Sequence, residues 1–216
     1  SEVRIGWMGN LDNYLAMESG VTELCEVCLN SLSSAAAKVD AVQPQFNLSD
    51  LWLAWTTIRH SGRTGYYDNY NDPESRALMK PELQWEIEQS FVLTDSDRGL
   101  ANRIRNDWYQ ELDRLFDEYD FLALPSAQVF PYPKTIHWPE EIAGRQMDTY
   151  HRWMEVVILA SMGGIPVINL PVGSDELGRP MGMQIMGRFG EDKRVLEFAL
   201  AYEQVTDYVQ RRPQLE

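Results

Sequence analysis

Positive charge is scarce in this sequence: 19 Lys and Arg stand against 33 Asp and Glu over 216 residues, a formal net charge of -14. A surface so acidic repels phosphate backbones and anionic lipid headgroups, which argues against nucleic-acid binding. Long apolar runs are also lacking, since no stretch approaches the roughly 18 uninterrupted apolar residues of a membrane span. The opening Ser1-Glu2-Val3-Arg4 has no charged-then-apolar secretory pattern, so the expected location is cytoplasmic. The chain enters a strand within three residues of a start that is not Met, which reads as a processed or cut polypeptide.

Metal ligands are few. Two cysteines form a C-x-x-C at Cys25 and Cys28, and the three histidines, His60, His137 and His151, are far from them in sequence. A structural zinc needs four ligands, and a redox dithiol would sit at the first turn of a helix. These cysteines fall on an apolar helical stripe and read as buried, inert thiols. Asp68 to Asp72 and Asp95 to Gly99 look like calcium loops but misplace a ligand or the turn glycine. Asp95 instead suits a helix start. No metal or other cofactor is expected, because the glycine loops for dinucleotides and nucleotide triphosphates are missing as well.

The marks of nucleophilic catalysis are missing too. There is no G-x-S-x-G and no S-x-x-K; the nearest approach, Ser34 to Lys38, has the wrong spacing. Ser126 follows a short apolar strand, at a strand mouth where ligands often bind, although a turn serine more commonly bonds nearby backbone.

What the sequence does contain is α/β patterning. Val3 to Trp7 and Lys38 to Val42 read as strands around a helix carrying Val21, Leu24, Cys25, Cys28, Leu29 and Leu32 on one face. Leu48 to Tyr119 is helical in character, broken by Gly62, Gly65, the Asp68–Pro73 turn cluster and Pro81. Phe121 to Leu124, Pro166 to Val172 and Met181 to Met186 read as further strands, the last two joined by a hairpin-like connection through Gly173 to Pro180. Asp148 to Met162 is expected to be helical up to Gly163-Gly164, and a last helix runs from about Glu191 to Val205.

Several of these segments in series resemble the amidase signature family. They are Arg4-Ile5-Gly6-Trp7, Tyr119-Asp120-Phe121-Leu122-Ala123-Leu124-Pro125-Ser126, the Gly163 to Gly173 run, the Gly178 to Gly187 run with its G-x-P-x-G-x-Q-x-x-G spacing, and a helix ending in Ala199 to Glu203. His137-Trp138-Pro139 and Tyr150-His151-Arg152-Trp153-Met154 resemble one bacterial subgroup of that family. The resemblance implies hydrolysis of a carbon-nitrogen amide bond by a Ser, cis-Ser and Lys triad. The lysine and the Gly/Ser-rich segment that hold this triad in the family have no counterpart in the chain, whose lysines are Lys38, Lys80, Lys134 and Lys193.

The expectations are therefore these. The fold is α/β, a mixed sheet flanked by helices forming the carboxy-terminal part of the amidase signature fold, in a single domain over 1–216 with a helical subdomain or lid over about 48–119. The function is that of the carboxy-terminal portion of an amidase acting on a small-molecule amide, inactive by itself and with no catalytic residue of its own. The alternative is a non-catalytic binding or assembly module built on the same half-fold. Trp138, Tyr150 and Met154 are the candidate substrate-binding residues, lying between the Pro125 strand end and the Gly163 turn, although aromatics at helical spacing ordinarily serve as core. An exposed sheet edge is expected to drive self-association.

Overall fold

The computed structural model describes residues 3–33 and 37–211. Ser34, half of the weak Ser–Lys spacing, lies outside them, as do Ser1, Glu2 and the 212–216 tail. In chain order the elements are β1 (Val3–Trp7), α1 (Val21–Ser33), β2 (Ala37–Ala41), α2 (Leu48–Ser61), α3 (Tyr67–Asn71), α4 (Pro73–Ala77), α5 (Pro81–Phe91), α6 (Asp95–Glu118), β3 (Phe121–Pro125), β4 (Glu141–Ile142), β5 (Arg145–Gln146), α7 (Ile158–Gly163), β6 (Val167–Ser174), β7 (Pro180–Met186) and α8 (Asp192–Val205). Short 3-10 turns occupy Thr64–Tyr66, Arg152–Val157 and Tyr208–Gln210. The chain divides into two compact units, 1–45 with 111–216, and 46–110.

The first unit is built on a five-stranded mixed sheet of order β2-β1-β3-β7-β6. β1 pairs parallel with β2 and β3, and β7 runs antiparallel to both β3 and β6. β1, β3 and β6 therefore point their carboxyl ends the same way. β3 is buried along its whole length, as an uninterrupted apolar strand requires when both sheet faces are covered. The β6–β7 register slips at Pro171/Gly173, a bulge where Gly173 takes a positive φ of 111° against the Tyr208 ring. α7 ends at Gly164 in the left-handed region (φ 60°), the conformation that turns the chain sharply into β6.

The expected helix over Asp148–Met162 is only partly formed. Residues 152–157 wind as a 3-10 helix with Met154 off helical geometry (φ -116°, ψ 19°), and the α-helix begins at Ile158. The Val156 N–H donates to the buried Gln128 side chain (3.1 Å), and Val156 and Val157 are β-branched, so the α ladder gives way to a tertiary bond.

The second unit is helical. α2 is capped by the Asn47 side chain, α4 by Asp72 ahead of Pro73, and α5 starts on Pro81. At α6, Thr94 and Asp97 exchange bonds as a capping box, while Asp95 charges the first turn and pairs with Arg98. Glu86, 2% exposed, accepts from Arg59 Nε (2.6 Å) and from Arg63, and so ties α2 and the turn after it to α5. No helix among the described residues is long and apolar enough to cross a membrane.

Candidate functional site

At the carboxyl end of β3 the chain leaves the sheet through Ser126, whose N–H donates to the Gly182 carbonyl of β7 (2.9 Å). Beyond it opens a cleft of about 450 Å³. Its polar side chains include Ser126 and, from β6, Asn169; its walls include Phe130, Tyr132, Trp153 and Met181. Among the described residues no Asp, Glu, Lys, Arg, His or Cys lines it. Open parallel strands place ligand sites at this end because the loops that diverge there leave a crevice.

Buried amides and a salt-bridged clamp hold the walls. Gln184, opposite Asn169 in the β6–β7 register, donates to the Pro125 carbonyl at 2.8 Å and so fixes the strand end before Ser126. Gln128 donates to the Ala16 carbonyl (2.9 Å) while accepting from Val156, which joins the loop after β1 to the turn that carries Trp153. Glu18 accepts from the Phe130 N–H and from Arg179, and the Arg179 guanidinium lies over the Phe130 ring at 4.5 Å. Asp175, held below the usual carboxylate range by bonds from the Arg179 and Leu177 backbone and the Arg179 side chain despite its partial desolvation, takes the rest of that guanidinium.

A thiol–phenol layer backs the cleft. Tyr202 of α8, 1% exposed, donates to the Pro171 carbonyl, and its oxygen lies 3.0 Å from Cys28 Sγ. Cys25 Sγ faces the Gly182 carbonyl at 3.8 Å. Burial pushes the Cys25 thiol up to about 12, with the Cys28 and Glu26 charges adding to it, and burial raises Cys28 and Tyr202 too. Both cysteines are free and protonated at neutral pH, which matches their reading as inert thiols. Among the described residues no cluster of three or more His, Cys, Asp or Glu is placed to hold a metal.

Trp138, Tyr150 and Met154 stand beside this cleft rather than among its lining residues. Trp138 packs on the buried Ala16, Ile142 and Met147 together with Trp153. Tyr150 meets Trp138 and Trp153 edge-on, at ring separations of 6.1 and 6.5 Å. Trp153, their neighbour in sequence, is the residue that reaches the cleft. Two residues after Trp153, Glu155 is 4% exposed, and its carboxyl is pushed up by burial while Tyr14 (2.6 Å) and Arg152 (3.0 Å) donate to it. Sequence reasoning marks Ser126 by its strand-mouth position but gives no site role to Asn169 or Gly182. They adjoin Ser126 only through cross-strand register, which spacing along the chain does not reveal.

Comparison with known proteins adds the following. The family model described as Amidase matches residues 1–196. A glutamyl-tRNA(Gln) amidotransferase subunit of Synechococcus sp. (strain RCC307) is 33% identical over 197 residues, 91% of this chain and 38% of that protein. An acylamidase of Rhodococcus erythropolis is 26% identical over 216 residues, 98% of this chain and 44% of that protein. A bacterial aryl acylamidase of the amidase signature enzymes superposes with a TM-score of 0.83 at 20% identity, over 98% of this chain and 46% of its own. A 6-aminohexanoate cyclic dimer hydrolase gives 0.80 at 18%, over 99% and 47%. At these identities the structural likeness establishes the fold, and the chain spans less than half the length of each of these four proteins.

Proposed function

The chain belongs to the amidase family, and from that premise we propose that it is the carboxy-terminal portion of an amidase, supplying sheet and one wall of the acyl pocket while the catalytic triad lies outside it. One observation carries this reading: the cleft at the strand ends holds a serine hydroxyl with no base among the described residues that line it. A serine at its free pKa is a weak nucleophile and needs an adjacent base to attack an amide carbonyl. The cleft is thus equipped to bind and orient but not to activate a nucleophile.

In the intact enzyme Trp153 would face the substrate, with Trp138 and Tyr150 buttressing it through their edge-on contacts and Met154 completing the same turn. Alanine substitution of these residues in the intact enzyme should change relative rates across a series of acyl groups; unchanged rates would return them to the core. A cytoplasmic location and self-association through the outer edge of β6, which has β7 as its one strand partner among the described residues, belong to the same proposal.

The test is the coding sequence upstream of Ser1. A protein extended to include a Gly/Ser-rich segment with a lysine some tens of residues before it should hydrolyse a simple anilide, and mutation of that lysine should abolish turnover. An upstream stop or unrelated domain would instead support a binding or assembly module.

A further inference from the structure

The helical unit over 46–110 carries a cavity of its own, about 490 Å³ in volume. Tyr66 of the 3-10 turn, Asn69 of α3, Ser75 of α4, Met79 and Lys80 of the connection and Leu83 of α5 line it. Local chemistry fixes these walls. The Asp72 carboxylate accepts from the Ser75 N–H (2.8 Å) and starts α4, and Gln84 of α5 donates to the Arg76 and Met79 carbonyls (3.1 Å each), which pins the α4–α5 connection. Lys80 precedes Pro81 and is held extended (φ -61°, ψ 145°), the conformation a following proline enforces.

Charge singles out one group there. Lys80 is the only charged side chain among the described lining residues, and it makes no ion pair among the described residues. By contrast Arg76 is engaged by Glu88 and the Tyr70 ring, and Arg59 and Arg63 by Glu86. An ammonium left without a carboxylate runs against the composition of a chain whose net charge is -14. The Asn69 carboxamide likewise bonds no other group among the described residues, and it adds two N–H donors to the same cavity. The remaining surface is apolar, and Leu78, which also lines it, is 88% exposed, a large aliphatic side chain that this unit does not cover.

We propose that this cavity binds a small monocarboxylate with an aromatic or branched apolar body. Lys80 and Asn69 donate to the carboxylate, while Tyr66, Leu78, Met79 and Leu83 take the body. A dianion such as phosphate would leave half its charge unmet by one ammonium and would gain nothing from apolar walls. A neutral aromatic molecule would use the walls and leave Lys80 unanswered, and a cation would be repelled by it. The site shares no residue with the cleft at the strand ends and does not rest on the amidase reading.

The experiment is a nitrogen-15 NMR titration of the 216-residue chain with three probes: benzoate, benzyl alcohol and inorganic phosphate. Benzoate should move the Asn69 side-chain amide and the backbone amides of Tyr66, Met79 and Leu83 saturably, with a Kd of about 1 mM for so small a ligand. Benzyl alcohol should bind about fivefold more weakly, the upper worth of an exposed ion pair, and phosphate should give no saturable shift at these signals. Lys80→Gln should weaken benzoate about fivefold with the rest of the spectrum unchanged, while Lys80→Arg, which keeps the charge, should hold the affinity within about twofold. Benzyl alcohol or phosphate binding as tightly as benzoate, unaltered benzoate binding in Lys80→Gln, or no saturable benzoate shift at these signals would each overturn the proposal.

Discussion

Removing the Tyr202 hydroxyl tests whether the layer behind the cleft holds its wall. The oxygen donates to the Pro171 carbonyl and sits 3.0 Å from Cys28 Sγ, and the residue is 1% exposed. Tyr202→Phe keeps the ring and its packing but leaves the Pro171 carbonyl, beside the β6 bulge, without that donor. An unsatisfied buried acceptor costs about 1–3 kcal/mol. With the phenol proton on Pro171, the Cys28 S–H donates to the phenol oxygen and is only a weak donor, so the expected loss is about 1–2 kcal/mol. At about 2–4 °C per kcal/mol for a chain of this size, the midpoint should fall by roughly 2–8 °C. Denaturant unfolding followed by tryptophan fluorescence measures the change, with amide exchange on β6 and β7 as the local readout. Cys28→Ala leaves the Tyr202–Pro171 bond in place and should not loosen exchange there. Because burial raises the phenol above its ordinary value, it remains a donor through neutral and moderately alkaline pH, and the difference between wild type and Tyr202→Phe should be constant over that range. A loss below about 0.5 kcal/mol, with unchanged β6 exchange, would refute the reasoning.

Three further outcomes follow from the same structure. Gly163→Ala would drive a methyl into Leu112 and should cost about 1–3 kcal/mol in denaturant unfolding, whereas Gly65→Ala, where a Cβ meets nothing within 4 Å, should be neutral or stabilising by up to about 1 kcal/mol; equal effects would contradict the packing described. With Cys25 pushed up to about 12 and both thiols buried, a thiol reagent at pH near 8 should label the native chain far more slowly than the unfolded one, which should react at both cysteines; rapid native labelling would contradict the burial. Self-association through the β6 edge should strengthen with protein concentration and with salt, as the charge of -14 is screened, and sedimentation velocity showing a clean monomer throughout would overturn it.

Much of the sheet is legible in the sequence because β3, β6 and β7 are short, mainly apolar runs with Pro or Gly at their ends. Phe121–Pro125 is such a run, and the Gly173–Pro180 connection and the Gly164 stop carry recognisable turn chemistry. Helix breaks at Gly62, Pro73 and Pro81 show for the same reason. Two local features escape such a reading. The small hairpin of β4 and β5 turns on Ala143 and Gly144, both at positive φ (51° and 79°), and an Ala in the first of those positions disguises the turn. Asp95 suits the α6 start by charge, but the cap is Thr94, one residue earlier, which exchanges bonds with Asp97. Helical spacing over Asp148–Met162 misleads because Gln128, distant in sequence, takes the Val156 N–H. The cleft shows the same limit: Ser126 can be placed at a strand mouth, while Asn169 and Gly182 reach it only once β6, β7 and β3 are in register.

The central claim is that this chain shapes an amide site without performing the chemistry. The most direct measurement is to incubate the 216-residue chain with a serine-reactive fluorophosphonate and locate any adduct by mass spectrometry, alongside an anilide hydrolysis assay. The account predicts no stoichiometric adduct and no turnover above buffer, since the described residues lining the cleft give Ser126 no base. Stoichiometric labelling of one serine, lost on its mutation to alanine and accompanied by anilide hydrolysis, would contradict it.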